Sequence, residues 1–294
     1  MSKRRILNYG SLNIDYVYQV PHFVNPGETL PAKTFERHAG GKGANQSVAI
    51  ARAGGSVSHA GKIGIDGKWL LEKLTQDGVD THFTTTSASK TGHAIIQVND
   101  KGENAIIIWP GTNDEITLSE ILATLTHFHD GDILLLQNEI NNIPQIIMEG
   151  SKKKLFIAFN PAPMTDAVHT YPLHLCNLLI LNETEASALA NREEVSDCLE
   201  ALSNKLPNTS ILITAGARGA YAMHKGEIIR QPAYEVAVVD TTAAGDTFIG
   251  YFIAAFLEGQ PFAKCMQQGA VAASLAIGKR GAMDSIPYAA ELKQ

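Results

Sequence analysis

Three ingredients are scarce in this chain: cysteine, net positive charge and long apolar runs. Its 294 residues hold only three cysteines, Cys176, Cys198 and Cys265. They are odd in number and widely spaced, which excludes a disulfide framework or a metal knuckle and fits a reducing compartment. The formal net charge is −6, and the one basic run is Lys152-Lys153-Lys154. That run reads as a solvated helix end, so nothing here has the electrostatic footprint of a nucleic-acid binder. No window approaches the ~18 unbroken apolar residues of a membrane span. Lys3-Arg4-Arg5 is followed by only a brief apolar stretch before Asn8, so no secretory leader is expected. The expectation is a soluble, cytoplasmic protein with no nucleic-acid or membrane partner.

What is present is apolar residue in plenty, 45% of the chain, enough for a sizeable core. Short apolar runs alternate with helical patterns. Ile6–Tyr9, Val57–Ala60, Ile133–Leu136, Leu155–Phe159, Leu178–Leu181 and Ile211–Thr214 read as strands. Lys42–Ala53, Lys68–Gln76 and Pro144–Glu149 read as helices, the first stopped by Gly54-Gly55. Such alternation implies a mostly parallel sheet covered by helices on both faces. Two segments break the rhythm. Asp15–Lys33 has no helical period, and Ala94–Val98 with Ala105–Trp109 reads as a hairpin around Asn99–Glu103. Together they suggest a small separate sheet acting as a lid or an oligomer contact. A second hairpin is expected at Tyr221–Met223 and Ile228–Arg230.

Residues 239–246, Val-Asp-Thr-Thr-Ala-Ala-Gly-Asp, run straight into the apolar segment 247–257. Free N–H groups at a helix N-terminus attract anions, so this turn is either an ordinary helix cap or a catalytic anion site. Other polar clusters follow expected strands. Asn13 and Asp15 alternate with apolar neighbours after the first strand, so both face one way and can accept from vicinal hydroxyls. Ala39-Gly40-Gly41-Lys42-Gly43-Ala44-Asn45-Gln46 opens a helix without the order of a Walker A or dinucleotide loop. Its glycines allow close approach to a ligand, or merely make a turn. Asn182 and Glu185 match a capping box, or else place Asn182 near phosphate and Glu185 on a metal-bound water. Thr214-Ala215-Gly216-Ala217-Arg218-Gly219 could hold nucleotide phosphates, or form a plain strand-to-hairpin turn.

In this order, with Asn-Pro-Ala-Pro at 160–163, these motifs resemble the ribokinase branch of the PfkB sugar-kinase family, from about Leu7 to Pro287. Pro26-Gly27-Glu28-Thr29, Gly102-Glu103-Asn104 and Lys279-Arg280-Gly281-Ala282 add to the likeness. The resemblance implies a three-layer α/β/α sandwich, with a core formed by 1–12, 37–90 and 111–294 and a β-lid formed by 13–36 and 91–110. It implies transfer of the γ-phosphoryl of ATP to a sugar, O5 of ribose first, with Asp246 as base and the N–H groups of Ala243, Ala244 and Gly245 as anion hole. An ionised aspartate is a weak base, which suits late proton acceptance in a loose phosphoryl transfer. The family's sugar contacts fall on Asn13, Asp15, Gly41, Lys42, Asn45 and Glu139, with Asp246. Its nucleotide contacts fall on Asn182, Thr214, Gly216, Arg218, Gly219 and Gly245. Glu185 would act through Mg²⁺ and its water. A K⁺ site would fall on Asp240, Thr242, Ala276, Lys279, Gly281 and Ser285, ordering the anion-hole turn without touching substrate. The lid implies a homodimer, with Tyr16, Tyr18, Ile106 and Ile108 as candidate contacts.

Ala270, near the expected adenine position, and Trp109-Pro110 in the lid depart from the family pattern. Because sugar identity lives in pocket shape, a kinase for deoxyribose, fructose or a ribonucleoside stands as the alternative. A sugar-binding regulator on an inactive scaffold is a third reading, against which the intact Gly245 and Asp246 count. His127 and His129 have a spacing that does not share a helix face, so they read as solvated.

Overall fold

From Ile6 the chain enters a strand, β1 (Ile6–Tyr9), whose four side chains are all buried. β2 (Asn13–Gln19) and β3 (Thr34–Gly40) then leave for a second sheet. α1 (Lys42–Arg52), β4 (Val57–Gly64), α2 (Lys68–Gln76) and β5 (Asp80–Ser87) return to the first. β6 (Gly92–Val98) and β7 (Asn104–Trp109) complete the small sheet. The βα alternation resumes with α3 (Leu118–Leu125), β8 (Ile133–Gln137), α4 (Ile143–Lys152), β9 (Phe156–Asn160) and β10 (Leu178–Asn182). It continues through α5 (Glu183–Ala190), α6 (Val195–Lys205) and β11 (Ser210–Thr214). The hairpin β12 (Ala220–His224) and β13 (Glu227–Gln231) precedes two closing helices, α7 (Ala244–Leu257) and α8 (Phe262–Ile277). These elements come from a computed structural model that describes residues 4–293. Lys3 and the outer ends of the expected core, 1–3 and 294, lie outside the described residues.

The large sheet has the order β13-β12-β11-β10-β9-β8-β1-β4-β5. All its neighbours pair in parallel except β11–β12 and β12–β13. Alternate side chains of the buried strands feed two cores. Ile133 and Leu135 join the cluster that includes α1, α2, α7 and α8 residues, whereas Leu134 and Leu136 join the one that includes α3 to α6 residues. This is the expected three-layer α/β/α arrangement, and it explains why the strands read as unbroken apolar runs. The strand order reverses between β1 and β8, with β4 and β5 on one side and β9 to β11 on the other. In open α/β sheets ligands bind outside the carboxyl ends of strands at such a reversal. The carboxyl end of β1 leads to Asn13 and Asp15, and that of β8 leads to Glu139. Among the described residues no helix is long and apolar enough to cross a membrane.

The small sheet runs β3-β2-β6-β7. Its third segment, β3, continues to Gly40, past the lid boundary expected at residue 36. β3 escaped the sequence reading because Thr-Phe-Glu-Arg-His is mostly exposed and carries little apolar signal. The register also corrects the expected subunit contact. Asp15 pairs with Ala94 and Ala94 with Ile108, so Ile108 and Ile106 share the face of Asp15. Tyr16 pairs with Arg37 and Ile95, so Tyr16 and Tyr18 lie on the opposite face. There both tyrosine rings pack on Phe35, with centroids at 6.0 and 5.0 Å. The four residues therefore divide between two faces of the sheet, because a strand turns successive side chains to opposite faces.

Candidate active site

The apolar run 247–257 forms α7, as its composition requires, and the Ala-Ala-Gly-Asp turn starts it. Ala243 is the N-cap, with φ 59° and ψ 10°. A non-glycine residue in this left-handed region carries a backbone cost of about 1–3 kcal/mol, which clusters at functional turns. Asp246 sits in the first helical turn and is buried. Its Oδ2 accepts from Asn45 Nδ2 at 3.0 Å and its Oδ1 from Gln46 Nε2 at 2.9 Å. Both amides come from α1. α1 and α7 can approach this closely because a Cβ on Gly250 would overlap Ala49. Thus the cap and the site coincide in one turn. The Ala244 N–H donates to Thr241 O at 3.2 Å, whereas among the described residues the N–H groups of Ala243 and Gly245 have no protein acceptor.

Of the expected sugar residues, Asn45 bonds this carboxylate and Lys42 and Glu139 face it, whereas Asp15 faces Glu139. Gly41 is the N-cap of α1, with φ 93°, and Lys42 follows as its first residue. Lys42 faces Asp246, Glu139 and Glu185, and their charges, Asp246 foremost, raise its pKa. Glu139 accepts from the Lys42 backbone N–H at 2.9 Å and from the Ser11 hydroxyl at 2.5 Å. Burial raises its pKa, outweighing the opposing pull of Lys42. Asn13 is buried and its Oδ1 accepts from Asn113 Nδ2 at 2.7 Å. Asp15 stands one strand repeat further on the same face. Its pKa is pushed up to about 6, chiefly by burial, then by the Glu139 charge, with His38 opposing. Asn45 Oδ1 is buried without a partner among the described residues, an acceptor that a hydroxyl would satisfy.

A cleft of about 670 Å³ is lined by Thr214, Gly216, Arg218, Gly219 and Gly245, five of the six residues expected to contact nucleotide. Ala270 lines it too, beside Ala273, Ile277, Val236 and Val238. A second cavity of about 350 Å³ shares Thr214, Gly216 and Gly245 and adds Asn182, Glu185, Lys42 and Asp246. Asn182 and Glu185 do form a reciprocal capping box. Glu185 accepts from Asn182 N at 2.9 Å and from Asn182 Nδ2 at 2.8 Å, and burial raises its pKa. Arg218 pairs with Glu183. Gln46, Asn113 and Ser11 were missed by sequence reasoning, and each orients a residue that was expected.

Two cation sites can be tested against their donors. Among the described residues no three His, Cys, Asp or Glu side chains cluster as a ready metal cage. A Mg²⁺ at Glu185 would therefore draw its other ligands from phosphate and water, which that ion favours. Asp240 accepts from Thr242 N and Oγ1 at 2.9 and 2.6 Å and from Gly281 N at 2.9 Å. It thus ties the turn that starts α7 to the segment after α8, which contains Lys279, Gly281 and Ser285. Ala276 is buried at the end of α8, where its carbonyl accepts from Lys279 N at 3.0 Å. Carboxylate, carbonyl and hydroxyl oxygens form a hard donor set suited to an alkali cation.

A family model described as pfkB family carbohydrate kinase matches residues 3–289. Ribokinase of Haemophilus influenzae is 35% identical over 288 residues, spanning 95% of this chain and 94% of that protein. Ribokinase of Cryptococcus neoformans, solved in complex with ADP, superposes with a TM-score of 0.88 at 32% identity, covering 99% of each chain. Ribokinase of Arabidopsis thaliana, solved with ribose and ATP, superposes with a TM-score of 0.88 at 29% identity, covering 100% of this chain and 98% of that one.

Proposed function

The chain belongs to the pfkB family of carbohydrate kinases, and on that premise we propose that it moves the γ-phosphoryl of ATP onto O5 of D-ribose with Asp246 as base. It is an ATP-dependent sugar kinase, and its relatives support ribose as the acceptor. The observation that carries the site assignment is the Asp246 carboxylate. It is clasped by Asn45 and Gln46 at the start of α7 and lines a cavity continuous in its residues with the nucleotide cleft. Asp246 accepts the hydroxyl proton late, as the new O–P bond forms. The N–H groups of Ala243 and Gly245 receive the developing charge at the helix N-terminus. Ala244 shares in this only by giving up its bond to Thr241. Lys42 balances the carboxylates on the sugar side.

Glu185 and Asn182 would hold the waters of a bound Mg²⁺, which would neutralise charge on the phosphates. Asp240 would hold a bound K⁺, which would add rigidity to the turn. Asp240→Ala should therefore abolish most of the rise in melting temperature produced by K⁺ over a choline control while leaving sugar affinity within about threefold. An unchanged K⁺ response would remove the cation site. The lid face with Ile106 and Ile108, 50% and 56% exposed, is proposed to meet a second copy. A monomer by light scattering at working concentrations would count against this.

The sugar is tested by comparing kcat/KM for ribose, 2-deoxyribose, fructose and a ribonucleoside. Ribose should lead by at least about tenfold, since a site built to bind a hydroxyl rejects the analogue lacking it. Equal or better turnover of 2-deoxyribose would assign the chain to the alternative. A pH effect follows from Asp15. One unit below its pKa of about 6, ten in eleven Asp15 carboxyls are protonated, and the ribose KM should be about tenfold higher at pH 5 than at pH 7.5. The sign for stability is opposite. A carboxyl with a raised pKa stabilises the fold below its ordinary pKa and loses that contribution as pH rises through about 6. The weaker binding at pH 5 is therefore not unfolding caused by Asp15. Asp15→Asn should flatten the profile, and a profile that persists in that variant would assign it to another group.

A further inference from the structure

Gln46 is fully buried and has no place among the sugar, nucleotide or cation contacts above. Its Nε2 donates to Asp246 Oδ1 at 2.9 Å and to Asn160 Oδ1 at 3.2 Å. Its Oε1 accepts from Gln137 Nε2 at 2.6 Å. These contacts permit one amide orientation. A flip would set Oε1 against two acceptor oxygens and Nε2 against the Gln137 donor.

Gln137 is fixed in turn, because its Nε2 also donates to Asn8 Oδ1 at 3.0 Å. Asn8 Nδ2 donates to Ser47 Oγ and to Gly43 O, both at 2.8 Å. Ser47 Oγ bonds His59 Nδ1 at 2.8 Å. A buried polar chain thus runs from β4 through β1 and β8 to the carboxylate on α7.

We infer that Gln46 is a positioning residue: locked by Gln137 and Asn160, it orients Asp246 and, by donating to Oδ1, keeps that carboxylate aimed at the acceptor hydroxyl. The inference rests on Asp246 being the base. The titratable and charged groups around Asp246 are Glu139 on the turn after β8, Glu185 on α5 and Lys42 on α1 as their counter-charge.

The test uses Gln46→Met, Gln46→Glu and Asp246→Asn in the full chain. For each, kcat, both KM values, the melting temperature and the pH profile of kcat are measured. Gln46→Met should lower kcat about 10- to 100-fold with both KM values within about threefold, the cost of a misaimed reacting group. Gln46→Glu places a second carboxyl against Asp246 and should move the acid limb upward by about one unit or more, because like charges at this distance resist joint ionisation. A purely structural role would lower the melting temperature without separating kcat from both KM values in Gln46→Met. If Gln46→Met fails to fold, Gln137→Met releases the lock with Gln46 intact and should still lower kcat about tenfold. Folded Gln46 variants with kcat within about twofold of the parent and an unmoved acid limb overturn the inference. A dead Asp246→Asn beside them would leave the base assignment standing, whereas an active Asp246→Asn would remove the base itself.

Discussion

Asp246→Asn is expected to lower kcat by about 10²- to 10⁴-fold while ATP affinity stays within about threefold, since that is what a positioned base contributes. The nucleotide cleft is lined by Gly245 and the strand ends but does not depend on the Asp246 side chain. The structure adds a second consequence. Asp246 receives a donor on each oxygen, from Asn45 and from Gln46. An asparagine offers one acceptor and one donor, so one of those amides must face another N–H. Leaving a buried donor unpaired costs about 1–3 kcal/mol, so a lower melting temperature should accompany the lost turnover. Asp246→Ala separates the effects, because it removes the base without introducing a donor. Both variants should be inactive, and ADP binding by calorimetry would show the cleft intact. Near-normal turnover in either variant would take the base role from Asp246.

The core was legible because buried parallel strands are apolar throughout. Ile133–Leu136 needed no partner to be recognised, and Lys68–Gln76 carried its own period. The capping box at Asn182 and Glu185 was legible for the same reason, since its logic is local. What escaped depends on pairing across long separations. Gln137 meets Asn8 and Gln46 across 129 and 91 residues, and no local pattern links them. Gln46, next to the expected Asn45, reads as one more polar helix residue until α7 is packed against it. The lid faces were illegible likewise. Alternation shows that Tyr16 and Tyr18 share a side, but only the β2–β6–β7 register shows that Ile106 and Ile108 take the other. Edge strand β5 was missed because its threonines are half-exposed and lack an apolar signal.

Asp15→Ala is the second large effect. A hydrogen bond to a charged acceptor is worth about 1.5–3 kcal/mol, so losing two hydroxyl contacts should raise the ribose KM by at least about a hundredfold. The free protein should not suffer. The raised pKa of Asp15 shows that its charge is held against burial and against Glu139, so its removal relieves a cost. A melting temperature at neutral pH equal to or above that of the parent should therefore accompany the loss of sugar affinity. Such pairing of weaker binding with a firmer fold is the mark of a site that stores destabilisation for its ligand. Gly40→Ala probes the same contact without touching the carboxylate. A Cβ at Gly40 would overlap the Asp15 carboxyl, so Asp15 must swing away from its place on β2. The ribose KM should rise in that variant too, with the ATP KM unchanged. If Asp15→Ala binds ribose normally, the sugar does not rest on this face of the lid. If only Gly40→Ala binds ribose normally, β3 yields instead of Asp15, and the lid is softer at that strand than its register with β2 implies.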